Sequence, residues 1–485
     1  MNRVLNRVIG SAVALVLAVG LLPASAQAAP TSTCTATPFR TNLSKRVVYR
    51  IPALVVTPRG TLLAFAERRR ATGAAADVSD IEIVLARSTD RGCHWSAPKV
   101  IADHGRHTVG NPTPLVDTTT GTVLLLTVDR APGGTTTHGL HVQRSTDDGR
   151  TFTAYSRSGL DLAGIPGWSG GLTGPGHGIQ LHSARSPHPG RLVVPLGYKR
   201  GDRYGTYGII SDDHGATWSV GYNALTTQAR IEGTVAELAD GRLWISYHSR
   251  GKQPTVGTGR AGAFSSDGGS SLDGPFTRAG LPVVSVQGSA LGLTGKHAGT
   301  LVFSSPSRKD PARRHRMALF TSTGSGAGRG WSAPYDVQLD DRPGSYSDLA
   351  QLDDGTIGIL YETGQTSWYE RIDFRSLRIA HVLTRPKVSA ALSVTAPSRL
   401  KPGATLKPTL RLRVPGTGSP AGSFRARVRG PGVDRTTNLA LFGGSGGRRV
   451  ASLGTLRKGT YSLEVRYAGT SRITSVATTR RITVR

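Results

Sequence analysis

Apolar residues in this chain come in short runs. Segments such as "RLVVPLGY" (191–198), "TYGIISDD" (206–213), "GRLWISYHS" (241–249) and "AGAFSSD" (261–267) are apolar or alternating and close on Gly, Asp or Ser. That is the pattern of strands in sheets, and no sustained 3.6-residue period competes with it. Four closing turns are near-copies: "STDRGCHW" from Ser88, "STDDGRTF" from Ser145, "SDDHGATW" from Ser211 and "SSDGGSSL" from Ser265, with starts 57, 66 and 54 residues apart. Asp in such a loop bonds nearby backbone N–H groups, Gly supplies positive φ, and the closing aromatic can pin the turn to the sheet beneath. A unit repeated at this period buries its apolar face against its neighbours. Several four-stranded units with one marked turn each predict an all-β fold built as a β-propeller, since radial repetition protects sheet edges. A fifth version, "TSTGSGAGRGW" from Thr321, has lost the Asp but falls one period on and predicts a further unit.

The two ends of the chain read differently. Arg3 and Arg7 precede an uncharged apolar run from Val8 to Leu22 and then "ASAQAAP", with an Ala-x-Ala pattern at Ala26–Ala28. This predicts a secretory signal peptide over 1–29 and a secreted protein, since no later segment approaches transmembrane length. Cys34 and Cys93 are the only cysteines, and an even count in an exported chain favours a disulfide between them. Two cysteines are too few for a zinc site of their own, and no metal-ligand cluster is visible in the sequence.

After Pro386 the chain turns rich in Pro, Gly, Ser and Thr, with alternating strands such as "TLRLRVP" and "YSLEVRYAG". Residues 386–485 therefore predict a small Ig-like β-sandwich, following a first domain over 30–385. The segment "GTYSLEVRYAGTSRITS" resembles the closing hairpin of bacterial Ig-like repeats, which implies a spacer or adhesion module. Of the net charge of +29, +17 lies after Pro386, where 19 Lys and Arg face only Asp434 and Glu464. Such a surface suits an anionic cell-wall polymer or acidic glycan, and a wall-associated location. No zinc-finger spacing, RRM signature or aromatic-interleaved basic stripe points to nucleic acid.

The segment "VVYRIPALVVTPRGTLLAFAERR" (47–69), followed in register by the marked turns, resembles the exo-α-sialidases, especially secreted actinobacterial ones. In that family the turns are the Asp boxes, or BNR repeats. The resemblance runs from Phe39 to Leu383 and includes "GNPTPLVDTTTG", "GPGHGIQL" and "ILYETG". It implies a six-bladed propeller whose central pocket removes terminal α-linked sialic acids from glycoproteins, glycolipids or oligosaccharides with retention, using no cofactor and no metal.

Sialic acid carries a carboxylate on its anomeric carbon, and the planar fork of Arg binds a carboxylate bidentately. The resemblance implies three such arginines: Arg50 of "YRIP", Arg250 of "YHSRG", and Arg314, for whose role Arg308, Arg313 and Arg316 compete. A carboxylate nucleophile would be repelled by the substrate's own, which favours a neutral Tyr assisted by a base. Tyr346 of "GSYSDLAQL" matches the family nucleophile, and Glu232 of "ARIEGTVAELADG" its base, with Glu237 as the alternative. Asp77 of "AAADVSDIEIVLARSTD" matches the general acid, with Asp80 as the alternative. Arg69 matches a pocket arginine, and Glu362 of "LYETG" the carboxylate that holds the first arginine. Tyr198 of "VVPLGYKR" is the aromatic available to contact the glycerol side chain of the sugar.

Overall fold

The computed structural model describes residues 33–70, 77–134, 137–155, 169–200, 203–226, 230–249, 259–307, 314–323, 328–441 and 445–485. The expected signal peptide lies outside them. Within the described residues the chain is all-β, apart from the helix Ile379–Thr384 and two short 3-10 turns. No described helix is long and apolar enough to cross a membrane.

The alternating runs become antiparallel sheets. Arg230–Glu237, Leu243–Ser249, Gly259–Ser265 and Thr277–Arg278 form one, and Ser289–Gly292, Thr300–Pro306, Met317–Thr323 and Tyr335–Asp336 the next. Leu192–Arg200, Arg203–Ser211 and Ser219–Thr226 form another, with Ile179–Gln180 and Ser169–Thr173 both pairing the first of them. Two further sets, Val47–Val56 to Lys99–Ala102 and Thr108–Asp117 to Thr137–Ser145, join only where Ile81 pairs in parallel with Thr108. The sheet of Gly344–Asp353, Thr356–Thr363 and Arg371–Arg378 takes its outer strand, Thr35–Arg40, from the N-terminal end of the described residues.

Tight cross-strand packing fills these sheets. Tyr198 pairs with Gly205 and Tyr247 with Gly233, and a Cβ at Gly205 would sit 1.8 Å from the Tyr198 ring. Glycine is required there because the ring lies flat over the partner backbone. Tyr198 is thus 4% exposed in a core cluster, stacked edge-on to Tyr207. This corrects the expectation of a substrate contact: its side chain is committed to the core.

Each marked turn begins at the last residue of a sheet's third strand. Ser88, Ser145, Ser211 and Ser265 each bond the turn's Asp, and each accepts the N–H of the Gly four residues on, at 2.8–2.9 Å. Asp147 and Asp213 then cap the backbone N–H and hydroxyl of Thr151 and Thr217. In the first turn the imidazole of His94 takes the place of that hydroxyl, with Nδ1 2.6 Å from Asp90 Oδ2. Trp95 and Trp218 close their turns by donating to the turn glycine's carbonyl. Leu272 instead contributes only packing against the core beneath. In the fifth version Gly328 still donates to a serine, Ser322, but one six residues back. Cys34 and Cys93 form a disulfide, tying the N-terminal strand to the first turn.

Beyond Arg385 a three-stranded sheet (Ala391–Thr395, Thr409–Arg413, Arg448–Val450) and a five-stranded one share a single core that includes Leu410, Leu412, Phe424, Val428, Leu463 and Tyr467. The strand Gly459–Tyr467 alternates buried and exposed residues along its length, as a sheet with one wet face must. Asp336 connects this region to the rest: it pairs with Arg316 at 2.7 Å and accepts from Ser471 and Arg472.

The turn carboxylates make stability depend on acidity. The Thr217 hydroxyl and N–H hold Asp213 down to about 2, below its usual range. A depressed acid stabilises above its unfolded pKa of about 3.9 and loses that contribution as pH falls through the folded value. The thermal midpoint is expected to fall between pH 4 and 2. Asp213→Ala should lower it by about 2–4 °C at pH 7 and flatten that fall. Calorimetry across pH checks this, and an unchanged midpoint in the variant would contradict it.

Candidate active site

The marked turns lie at one end of the sheets, and the candidate chemistry lies at the other. Arg50, Glu232 and Tyr346 sit three or four residues into the first strands of their sheets, while Arg69 and Glu362 are next to last in second strands. Antiparallel pairing brings starts of first strands and ends of second strands together. The first strands also meet their counterparts in neighbouring sheets.

Pairing register breaks close to each of these residues, between Arg50 and Ala53, between Ile231 and Gly233, and between Gly344 and Ser347. Ile51 and Glu232 have φ of 58° and 56°. A β-branched residue such as Ile51 adopts that conformation only under constraint from its surroundings. A bulge re-aims side chains and backbone groups out of the ladder. Here it turns the Ile51 N–H onto Glu362 Oε1 at 2.9 Å.

Glu362 is fully buried and organises two strands at once. Oε1 accepts from Arg50 Nε at 2.7 Å as well as from Ile51, and Oε2 accepts the N–H of Tyr346 at 3.2 Å. Burial works against the Arg50 charge, but the Glu362 carboxylate outweighs it and holds the guanidinium above its ordinary pKa. Because Glu362 grips Arg50 at Nε, the terminal nitrogens are left for another carboxylate. Arg314 approaches from the chain before Met317, with Nη1 3.1 Å from Ser345 Oγ. Both guanidinium carbons lie within 6 Å of the Tyr346 ring centroid, at 5.2 Å for Arg50 and 5.9 Å for Arg314.

The Tyr346 hydroxyl donates to Glu232 Oε1, and His248 Nε2 lies 2.6 Å from Glu232 Oε2. Burial and the Glu232 charge push the Tyr346 phenol well above its usual range, while Arg50 and Arg314 pull the other way. The phenol therefore rests protonated against a carboxylate placed to receive its proton. Arg260, 1% exposed, donates to the Glu232 carbonyl and to Ser246 and Val286, and burial lowers its pKa to about 9.

On the strand paired with that of Arg50, Glu67 accepts twice from Arg69, whose Nη1 reaches Asp77 Oδ1 at 2.8 Å. The other Glu67 oxygen accepts the N–H of Asn111. The Asp77 side chain is 75% exposed, at the start of a segment tied down by Ser79–Thr108 and Ile81–His107 hydrogen bonds. Behind it the stacked rings of His104 and His107 each set Nδ1 against the buried Asp129, at 2.5 and 2.7 Å.

The structure thus brings together Arg50, Tyr346, Glu232, Arg314 and Glu362, with Arg69, on the strand paired with that of Arg50, bonded to Asp77. Arg250, Arg308 and Arg313 lie outside the described residues. The alternatives sit elsewhere. Glu237 is at the far end of its strand, accepting from His182 and Ser183; Asp80 faces Arg70; Arg316 is committed to Asp336. A cavity of about 600 Å³ at that far end is lined by residues such as Leu54, Val116, Val235 and Leu293 and, of the sequence candidates, by Glu237 alone. Glu67, His248, Arg260 and Trp368 were not predicted. Glu67 and His248 stood inside quoted motifs, Glu67 two residues from Arg69, at the alternation that shares a strand face.

Residues 60–359 match the family model described as a BNR repeat-like domain. The chain is 30% identical over 404 residues to a sialidase of Micromonospora viridifaciens, covering 75% of this chain and 58% of that one. It is 31% identical over 361 residues to an exo-alpha-sialidase of Arthroderma benhamiae, covering 66% and 79%. Among solved structures, the Hadza microbial sialidase Hz136 aligns with a TM-score of 0.60 at 25% identity, over 71% of this chain and 68% of that one.

Removing the shared carboxylate should be costly. Glu362→Ala leaves Arg50 buried without its partner, and a destabilisation of about 3–5 kcal/mol is expected in denaturant titration. A loss below about 1 kcal/mol would mean that Glu362 does not hold the site together.

Proposed function

The chain belongs to the exo-α-sialidase family, and on that premise we propose that it is a retaining exo-α-sialidase that releases terminal α-linked sialic acids from glycoproteins, glycolipids or oligosaccharides. The observation that carries this reading is the Tyr346 hydroxyl on Glu232, with two arginines beside the ring. A buried phenol is a poor nucleophile unless its proton leaves as the new bond forms, and Glu232 is the base within reach.

In the proposed reaction Arg50, Arg314 and Arg250 bind the substrate carboxylate. Tyr346 Oη attacks the anomeric carbon and passes its proton to Glu232, while Asp77 protonates the departing glycosidic oxygen. This leaves a sialyl-tyrosine. Water then attacks the same carbon, giving its proton to Asp77, and the phenolate leaves and recovers its proton from Glu232. Two displacements at one carbon give net retention. The exposed position of Asp77 suits a group that meets the leaving sugar, and its bond to Arg69 fixes where the carboxyl points.

We also read the sheets of residues 30–385 as six blades, with the N-terminal strand in the sheet of 344–378 as the closing contact, and residues 386–485 as an Ig-like domain. Secretion, through the leader at 1–29, fits the Cys34–Cys93 bridge. On the five-stranded C-terminal sheet Arg425 stands directly opposite Arg466. Like charges facing one another favour an anionic partner, and an acidic glycan or wall polymer is the one proposed.

Tyr346→Phe is expected to lower turnover of a fluorogenic α-sialoside by about 10³-fold or more while leaving binding within a fewfold of wild type. Steady-state kinetics with a parallel binding titration tests this. A variant that turns over at a comparable rate would overturn the assignment of the nucleophile.

A further inference from the structure

We propose that Trp368 is a positioning residue for the substrate carboxylate: its indole holds the Arg50 and Arg314 guanidinium groups side by side without occupying their hydrogen-bond forks. This deepens the sialidase reading and rests on it.

The geometry is specific. The Trp368 ring centroid lies 4.4 Å from the guanidinium carbon of Arg50 and 5.2 Å from that of Arg314. Both distances fall inside the range where a cation is drawn to an aromatic face. The Tyr346 ring is within 6 Å of the same two cations, so the pair is flanked by two aromatic systems.

The two arginines need this for different reasons. Arg50 has Glu362 to compensate its burial. Among the described residues Arg314 makes no ion pair, and its side chain bonds the neutral Ser345 hydroxyl. A protein carboxylate beside Arg314 would compete with the substrate for the fork. An aromatic face stabilises the charge while leaving the N–H groups in the guanidinium plane available. It also covers one side of each cation, so that fewer waters must be displaced when the carboxylate docks.

The loop carrying Trp368 is built to hold it. Glu370 accepts from the N–H groups of Gln365, Thr366 and Ser367 and from the Thr366 hydroxyl, at 2.6–2.8 Å. Thr41 fastens the loop's end through the carbonyls of Tyr369 and Glu370. At Gly364 any side chain would collide with the Ser367 carbonyl, 1.9 Å from an added Cβ, so the turn into the loop requires glycine. Trp368 itself is only half-buried. An aromatic this large, held by a tight loop at the mouth of a charged site, is placed for the cations rather than for a core.

The test compares Trp368→Leu, which keeps bulk and removes the π face, with Trp368→Phe, which keeps an aromatic face. With an α-sialoside carrying a fluorescent aglycone, Leu is expected to raise KM about tenfold with kcat within about threefold, and Phe to stay within about threefold of wild type in both. In binding titrations the wild type's preference for methyl α-sialoside over its C1 methyl ester should shrink in the Leu variant. An unchanged KM for Leu, or equal losses for Leu and Phe, would overturn the proposal, the second because it indicates fit to the indole outline alone. If wild type neither cleaves nor binds sialosides, the sialidase reading itself falls, which is a different result from an active enzyme indifferent to Trp368.

Discussion

The contact on which the structure's chemistry depends is the hydrogen bond between the Tyr346 hydroxyl and Glu232. A phenol and a carboxylate from strands 114 residues apart meet in a buried place, and both strands must leave regular pairing to bring them there. That geometry sets the demands on everything around it. The carboxylate has His248 Nε2 beside its other oxygen and is held through its backbone by Arg260. The phenol's backbone is held by Glu362, which also grips Arg50. Cations beside the ring then lower the cost of the negative charge that develops on the phenol oxygen as its proton leaves.

Stability and chemistry are placed at opposite ends of the same strands. At one end Ser, Asp and Gly close repeated turns whose bonds are local and whose residues are interchangeable within limits: an imidazole replaces a hydroxyl at His94, and Leu272 replaces an aromatic. At the other end the irregularities are individual. Ile51 is strained to serve Glu362, and Glu232 has positive φ to reach Tyr346. Strain of this kind persists only where rigid sheets over-determine the local conformation. The repeated turns at the far end help supply that rigidity.

The repeat and the apolar alternation made the all-β fold legible, because strand period and turn chemistry are local properties of sequence. Arg50, Glu232, Tyr346 and Glu362 were reachable through short motifs that hold both the residue and the strand around it. Arg314 could not be separated from Arg308, Arg313 and Arg316 by sequence, since four arginines within nine residues differ only in where the backbone turns; the bond to Ser345 distinguishes it from Arg316. Tyr198 matched only as an available aromatic, and its burial was not legible because the glycine that makes room for its ring lies on the partner strand. Trp368 and Arg260 were invisible for a related reason. Their roles come from rings and guanidinium groups far apart in sequence, and no local pattern records that meeting. The His104–His107–Asp129 cluster forms where the loop before Thr108–Asp117 folds against the next strand, Thr122–Arg130.

The most direct measurement is to locate the covalent intermediate. A sialyl fluoride bearing fluorine at C3 slows both displacements, and formation more than breakdown is rescued by its reactive leaving group, so the adduct accumulates. Peptide mapping by mass spectrometry of the trapped protein is expected to find the sugar on the peptide containing Tyr346, and no labelling in Tyr346→Phe. Labelling of Glu232 or another carboxylate, or turnover with inversion and no adduct, would contradict the account.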